Sequence, residues 1–253
     1  MFDYFNAHCH FLTASTFIPD NVGAVNNSAK ISEWDFVIES AQQSQNIYGA
    51  IGIHPWYIDN LPDNWDVLLQ DKLLAYPDLT VGEIGLDNKY ANMDAQIDVF
   101  MRQIVIANAL KRGVHIHCVG AWDKIVPILR NQEYTDIPFI LFHRFNGVIS
   151  DWLGMENVYF SYSPVKSMKR IMETPQNRLL LETDSENVAD IVQWTNRLAD
   201  ECKISKDVFV NNAGVASKED LLGTDFIEKS EDAWDYVMNT NLKGTYFAIQ
   251  QQI

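Results

Sequence analysis

FDYFNAHCHF (residues 2–11) sets two histidines, His8 and His10, one residue apart at the end of a short strand-favouring run. Phe2, Tyr4 and Phe5 supply the strand preference. Residues i and i+2 of a strand share a face, so His8 and His10 should project side by side. Two neutral imidazoles converging from one strand end suit a borderline metal ion. On its own, an HxH pair reads as a solvated loop more often than as a metal site. The rest of the chain has to decide.

Further apolar, β-rich runs recur along the sequence. Together with FDYFNAH (2–8), the candidate strands are IYGAIGI (47–53), LTVGEI (79–84), GVHIHC (113–118), PFILFH (138–143), VYFSYS (158–163) and RLLLET (178–183). Helical patterns lie between them. ISEWDFVIESAQQ reads as a helix capped by Ser32, with Asp35 three residues on. DAQIDVFMRQIVIANALKRG carries an apolar stripe at Ile97, Phe100, Met101, Ile104 and Val105 and stops at Gly113. Strands alternating with helices imply parallel βαβ units. Seven or eight such units fit an α/β fold of the TIM-type (β/α) barrel, with an open doubly wound sheet as the alternative.

The polar residues with chemistry sit at the strand ends. His8 and His10 end the first run, His54 follows the second, and Glu83 ends the third. His117 ends the fourth, His143 the fifth, and Asp184 follows the last. In a parallel barrel all strand C-termini open on one face, so residues distant in sequence converge there.

HxH, GIHPW, GEIGLD, IHC, HxFxG and LLLETD, in this order, resemble the TatD family of metal-dependent hydrolases over about residues 1–205. HCVxAWD at 117–123 resembles its shorter bacterial branch. The resemblance implies a TIM-type barrel with one or two divalent metal ions (Mg, Mn or Zn) that hydrolyses phosphodiester bonds of DNA or related esters through metal-activated water. It also implies the roles. His8 and His10 would hold one metal with Asp184, Glu83 would bridge two metals, and His117 and His143 would hold the second. Asp184 and Glu83 would be the catalytic pair, with Asp184 also taking the proton of the attacking water. His54 would contact substrate phosphate, support the ligands or be structural. Asp87 and Glu182 would orient ligands. His115 reads as structural, and Cys9 and Cys118 as small hydrophobes. Gly82 and Gly85 around Glu83 suggest tight packing. The chain departs from the family at Val119, where many members carry an Arg, and Arg144 or Arg112 are the candidate replacements.

Composition narrows the partners. The chain has 253 residues, 47% hydrophobic and 21% charged, with a net charge of −15. That charge argues against a general nucleic-acid coat, yet leaves room for a nuclease whose metals supply local positive charge. A small molecule or a DNA end is the expected substrate, and oligomeric state is left open. Three scattered cysteines, no apolar run of membrane-spanning length and no signal-peptide pattern point to the cytoplasm.

Residues 206–253 read differently. NNAG (211–214) and NTNLKGTYF (239–247) resemble an internal piece of a short-chain dehydrogenase/reductase, with Asn241 at that family's catalytic Asn. No Gly-rich pyrophosphate turn accompanies them, and no Tyr-xxx-Lys pair follows Asn241, so an NAD(P)-dependent oxidoreductase lacks its parts. The expectation is a barrel over 1–205 with an atypical C-terminal segment packed on it, 206–211 serving as an eighth strand. The rival functions are another amidohydrolase-type metal hydrolase, which would call for a bridging Lys at the fourth strand, and an inactive barrel scaffold.

Overall fold

The computed structural model describes residues 2–13, 18–131, 133–164 and 169–202. Eight strands pair in sequence order: β1 (Tyr4–Cys9), β2 (Val22–Asn27), β3 (Ile47–Ile51), β4 (Thr80–Asp87), β5 (Val114–Val119), β6 (Ile140–Phe142), β7 (Val158–Tyr162) and β8 (Leu179–Leu181). Every pairing is parallel. Six helices intervene among the described residues: α1 (Trp34–Gln43), α2 (Trp65–Ala75), α3 (Met93–Ala109), α4 (Trp122–Leu129), α5 (Lys169–Glu173) and α6 (Asp190–Cys202).

Polar groups tie the last strand to the first. Asp184 donates its backbone N–H to the His8 carbonyl at 3.0 Å, and His10 donates to the Ser185 carbonyl at 3.2 Å. Below them the Asn6 side chain donates to Thr183 Oγ1 and accepts the Thr183 N–H. The fold is therefore a nearly closed barrel, and its seam brings Asp184 against His8 and His10.

Side-chain parity separates two layers. Ile140, Phe142, Val158, Phe160, Leu179 and Leu181 face outward into the core between strands and helices. Phe139, Leu141, Tyr159 and Leu180 face inward, where they pack with Phe5, Ala7, Val25 and Ala50. Two residues further along the same inner face stand His143, Ser161 and Glu182.

All seven expected strands form, with ends shifted by a few residues. The strand the sequence reading lacks is β2, VGAVNN. It stands between the first two expected strands, which makes Leu179–Leu181 the eighth strand of the described sheet, the place the sequence reading gives to residues 206–211. That segment, with NNAG and Asn241, lies outside the described residues. Ser32 is not the helix cap either. It sits in a 3-10 turn, Ile31–Glu33, and α1 starts at Trp34 with no side-chain cap bond. Glu33 instead accepts the Ala29 N–H at 2.7 Å.

The α3 stripe is also rotated from expectation. Phe100 and Ile104 are buried, but Met101 and Val105 are exposed. The buried face carries Gln96 and Gln103 in their place. Each amide clamps the backbone at one residue. Gln96 accepts the Asp87 N–H (2.8 Å) and donates to the Asp87 carbonyl (3.1 Å), and Gln103 does the same at Ile53 (2.8 and 3.1 Å).

Candidate metal centre

Glu83 lies at the middle of the upper barrel, 4% exposed, on β4. Its two glycine neighbours explain how it gets there. A Cβ on Gly85, whose φ is +150°, would stand 1.9 Å from the His117 carbonyl oxygen, and one on Gly82 would stand 2.6 Å from the His115 Cβ. Only glycine lets β4 and β5 approach so closely. The same approach carries Glu83 to His117.

The two Glu83 oxygens face different imidazoles. Oε2 lies 3.1 Å from His10 Nε2 and 3.6 Å from His8 Nε2. Oε1 lies 2.7 Å from His143 Nε2 and 2.9 Å from His117 Nδ1. Around Oε2, His8 Nε2 and His10 Nε2 are 3.1 Å apart, and Asp184 Oδ1 is 3.8 and 3.6 Å from them. A tetrahedral ion with bonds of about 2.0–2.1 Å needs donors about 3.3–3.4 Å apart. The five separations, 3.1–3.8 Å, bracket that value. Around Oε1, His117 Nδ1 and His143 Nε2 are 3.0 Å apart, close to an octahedral edge of about 3 Å for bonds of about 2.1 Å. His8 Nδ1 and His143 Nδ1 are buried and have no hydrogen-bond partner among the described residues. Imidazole and carboxylate donors gathered in a buried cluster fit one or two divalent cations.

The electrostatics are those of a cluster that wants cations. Burial alone would raise the Glu83 carboxyl, but His143 and His54 beside it and hydrogen bonds from His10 and His117 hold it well below the usual range. Burial alone would lower His143, yet Glu83, Glu182 and Asp184 draw it up to about 9. Burial and the neighbouring His143 push His8 down to about 3. Burial, reinforced by Asp184, raises the Glu182 carboxyl to about 7 despite His143.

The remaining expected residues surround these. Asp87 Oδ2 lies 3.3 Å from His117 Nε2 and accepts the Trp56 indole N–H at 2.7 Å, so it fixes the ring's orientation. Glu182 Oε1 is 3.8 Å from His143 Nδ1 and accepts the Arg144 backbone N–H at 2.6 Å. His54 Nδ1 accepts the Trp56 backbone N–H at 3.1 Å, which puts the neutral ring's proton on Nε2. That nitrogen faces Glu83 Oε1 at 3.4 Å as a donor. Arg144 lines the cavity above the cluster and pairs with Asp184 Oδ2 at 3.0 Å. Arg112 does not line it and reaches the Leu73 carbonyl instead. Cys9 is buried in the outer core and Cys118 is buried too, both as free thiols. His115 stands on the inner face and is fully buried.

Three contributors escape a motif reading. The Asn27 carbonyl accepts from His10 Nδ1 at 2.9 Å, and Gln96 and Gln103 hold the backbone at Asp87 and beside His54. For the glutamines a signal existed: two amides seven residues apart on the same helix face as Phe100 and Ile104.

A cavity of about 1080 Å³ opens above the cluster. An eight-stranded parallel barrel with buried His/carboxylate donors at its strand ends is the architecture of a metal-dependent hydrolase. The family model described as TatD related DNase matches residues 7–197, and the chain belongs to that family. A second model, described as Enoyl-(Acyl carrier protein) reductase, matches residues 155–253, which overlap the first match through β7, β8 and most of α6. The chain is 32% identical over 161 residues to the "Uncharacterized metal-dependent hydrolase YabD" of Bacillus subtilis, covering 58% of this chain and 62% of that one. It is 28% identical over 218 residues to the human "Deoxyribonuclease TATDN3", covering 71% and 77%. The crystal structure of YJJV, a TatD homolog from Escherichia coli K12, superposes with a TM-score of 0.67 at 23% identity over 83% of this chain and 96% of that one. Among the described residues, no helix is long and apolar enough to cross a membrane.

Proposed function

We propose that this chain hydrolyses phosphodiester bonds at nucleic-acid ends, using two divalent cations. The division of Glu83, one oxygen to each pair of imidazoles, carries this reading. His8, His10, Asp184 and Glu83 Oε2 would hold one cation, and His117, His143 and Glu83 Oε1 the other. Bound there, the cations would lower the pKa of water towards neutrality and offset charge on the phosphoryl oxygens.

The chain's own groups do the rest. Asp184 Oδ1 faces the imidazoles while Oδ2 faces Arg144, so the carboxylate can hold the proton released by attacking water at the cavity floor. Arg144, 62% exposed at its side chain, meets incoming phosphate in place of the arginine absent at 119. His54 Nε2 donates to the same region. Asp87 and Glu182 keep His117 and His143 aimed. Because Glu83 fills the bridging position, no lysine bridge is needed, which sets the chain apart from amidohydrolases built on one.

Every proposed donor precedes residue 185. Residues 1–205 are accordingly the proposed hydrolase unit, and 206–253 a segment whose sequence resembles a reductase. Free, buried Cys9 and Cys118 suit a reducing cytoplasm.

The test is metal analysis of the purified chain, paired with a screen of a DNA oligonucleotide against small esters. Bound divalent metal and loss of oligonucleotide hydrolysis in Glu83→Ala, on the order of 10³-fold or more, are expected. Absence of bound metal together with parental behaviour of Glu83→Ala sinks the reading.

A further inference from the structure

Three large aromatic residues stand exposed at one side of the cavity: Trp56 (46%), Tyr57 (40%) and Tyr90 (46%). Trp56 and Tyr57 line the cavity itself. Trp56 is exposed but not loose. Its indole N–H is bonded to Asp87, its backbone N–H to His54, and its ring stacks on Tyr90 with centroids 5.0 Å apart at 27°. Tyr90 is held in turn, its N–H donating to the Asp87 carbonyl at 3.2 Å and its own carbonyl accepting from Gln96. The Trp56 ring centroid lies 4.7 Å from that of His54 and 6.1 Å from that of His117, two residues that abut Glu83.

A half-exposed indole fixed at its edge, its backbone and one stacking neighbour is preorganised for a flat ligand, because ordering it costs nothing further on binding. Stacking on such a ring is tolerant of base identity, since every nucleobase offers a π-face. Lys89, adjacent to Tyr90 in sequence, also lines the cavity and brings positive charge to the platform on a chain of net charge −15. We infer that the Trp56–Tyr90 pair is a nucleobase platform that stacks the terminal base of a single-stranded nucleic acid while its phosphodiester lies over Glu83. The inference rests on the phosphodiester reading above and narrows its substrate from any ester to a base-bearing end.

The test compares the metal-loaded full chain on two oligonucleotides, one ending in a normal nucleotide and one ending in an abasic residue. The parent should prefer the base-bearing end by about 5- to 150-fold in kcat/KM, the range expected for one stacked base. Trp56→Leu should bring that ratio close to one. Tyr90→Leu, which leaves the Trp56–Asp87 bond alone, should lower it, and Trp56→Phe should restore part of it. A structural role for the pair would change both rates and leave their ratio. Equal rates in the parent, or an unchanged ratio in both leucine variants, overturns the platform. Calorimetric titration with deoxyadenosine 5′-monophosphate against deoxyribose 5-phosphate separates the two readings. If neither oligonucleotide is cleaved but the base still strengthens binding through Trp56, the hydrolase reading fails and the platform stands. If the base adds nothing in this titration, the platform fails whatever the hydrolysis shows.

Discussion

The barrel interior has two storeys built from the same strands. The lower one is closed by Phe5, Val25, Phe139, Leu141, Tyr159 and Leu180, all apolar but for one phenol. The upper one is crowded with His8, Glu83, His117, His143 and Glu182, all buried. On β6 and just beyond it the change from Leu141 to His143 takes two residues, and after β8 the change from Leu180 to Glu182 takes two more. The lower storey stabilises the fold by removing apolar surface from water. The upper storey costs stability, because charged groups there lose their hydration and regain only part of it from one another and from a few neighbouring donors. The contrast assigns folding to one layer and chemistry to the other.

Stripping metal is the hardest blow to that contrast. A chelator should leave the lower storey intact and destabilise the chain by about 4 kcal/mol relative to metal at a thousand times its Kd. The size depends on pH with a definite sign. His143 is drawn from 6.5 up to about 9 by Glu83, Glu182 and Asp184, against the burial that would lower it. In metal-free protein that bound proton contributes stability below pH 6.5, and the contribution is lost as pH rises through about 9. A cation must displace the proton, so metal affinity should weaken about tenfold per pH unit below 9 for that one site. The metal-induced rise in Tm should therefore be larger at pH 8.5 than at pH 6.5. A rise that ignores pH would mean the ion does not displace the proton on His143.

Leu141→Ala attacks the other storey. Leu141 is 2% exposed between Phe139 and His143 on the inner face. Truncation should cost roughly 3 kcal/mol in denaturant unfolding, through lost transfer energy and a residual cavity. Metal content and oligonucleotide hydrolysis at a temperature where the variant is folded should stay near parental. Loss of metal in this variant would show that the two layers are one cooperative unit.

How far the sequence displayed this division depends on the element. The site residues of β1, β4, β5 and β6 were legible because a His or Glu interrupts or follows an apolar run, although β4 runs on to Asp87 and so carries Glu83 at mid-strand and not at its end. β2 was hidden because Gly23, Asn26 and Asn27 carry turn chemistry. In the fold Asn26 instead bonds the N–H and carbonyl of Phe11, both at 3.0 Å, and so holds the chain just after His10. The buried face of α3 departs from its apolar stripe for a related reason. Glutamine reads as solvent-facing, but Gln96 and Gln103 are buried because each satisfies a main-chain donor and acceptor that no strand partner reaches. Local pattern exposes apolar periodicity and strand-end chemistry. It does not expose polar side chains whose partners are loop backbone from elsewhere in the barrel.

His115 sits on the boundary between the storeys and sharpens where it lies. Its ring is fully buried, edge-on to Phe139 at 5.6 Å and 5.9 Å from the ring of His8. Neither ring nitrogen has a hydrogen-bond partner among the described residues. Burial, with His143 nearby, lowers its pKa to about 3, so it is neutral in the native state. A neutral, unpartnered imidazole belongs energetically to the lower storey, where its two polar atoms are a cost. His115→Leu should then leave metal content unchanged and raise stability by about 1 kcal/mol at pH 7. The gain should grow as pH falls from 6.5 towards 3, because the unfolded parent binds a proton there that its native state refuses. Thermal unfolding of parent and variant at pH 7 and pH 5, with metal content measured in parallel, decides the matter. Loss of metal in the leucine variant would move His115 upstairs, making it a support for His8 Nδ1, the ring nitrogen turned away from the proposed cation and without a hydrogen-bond partner among the described residues.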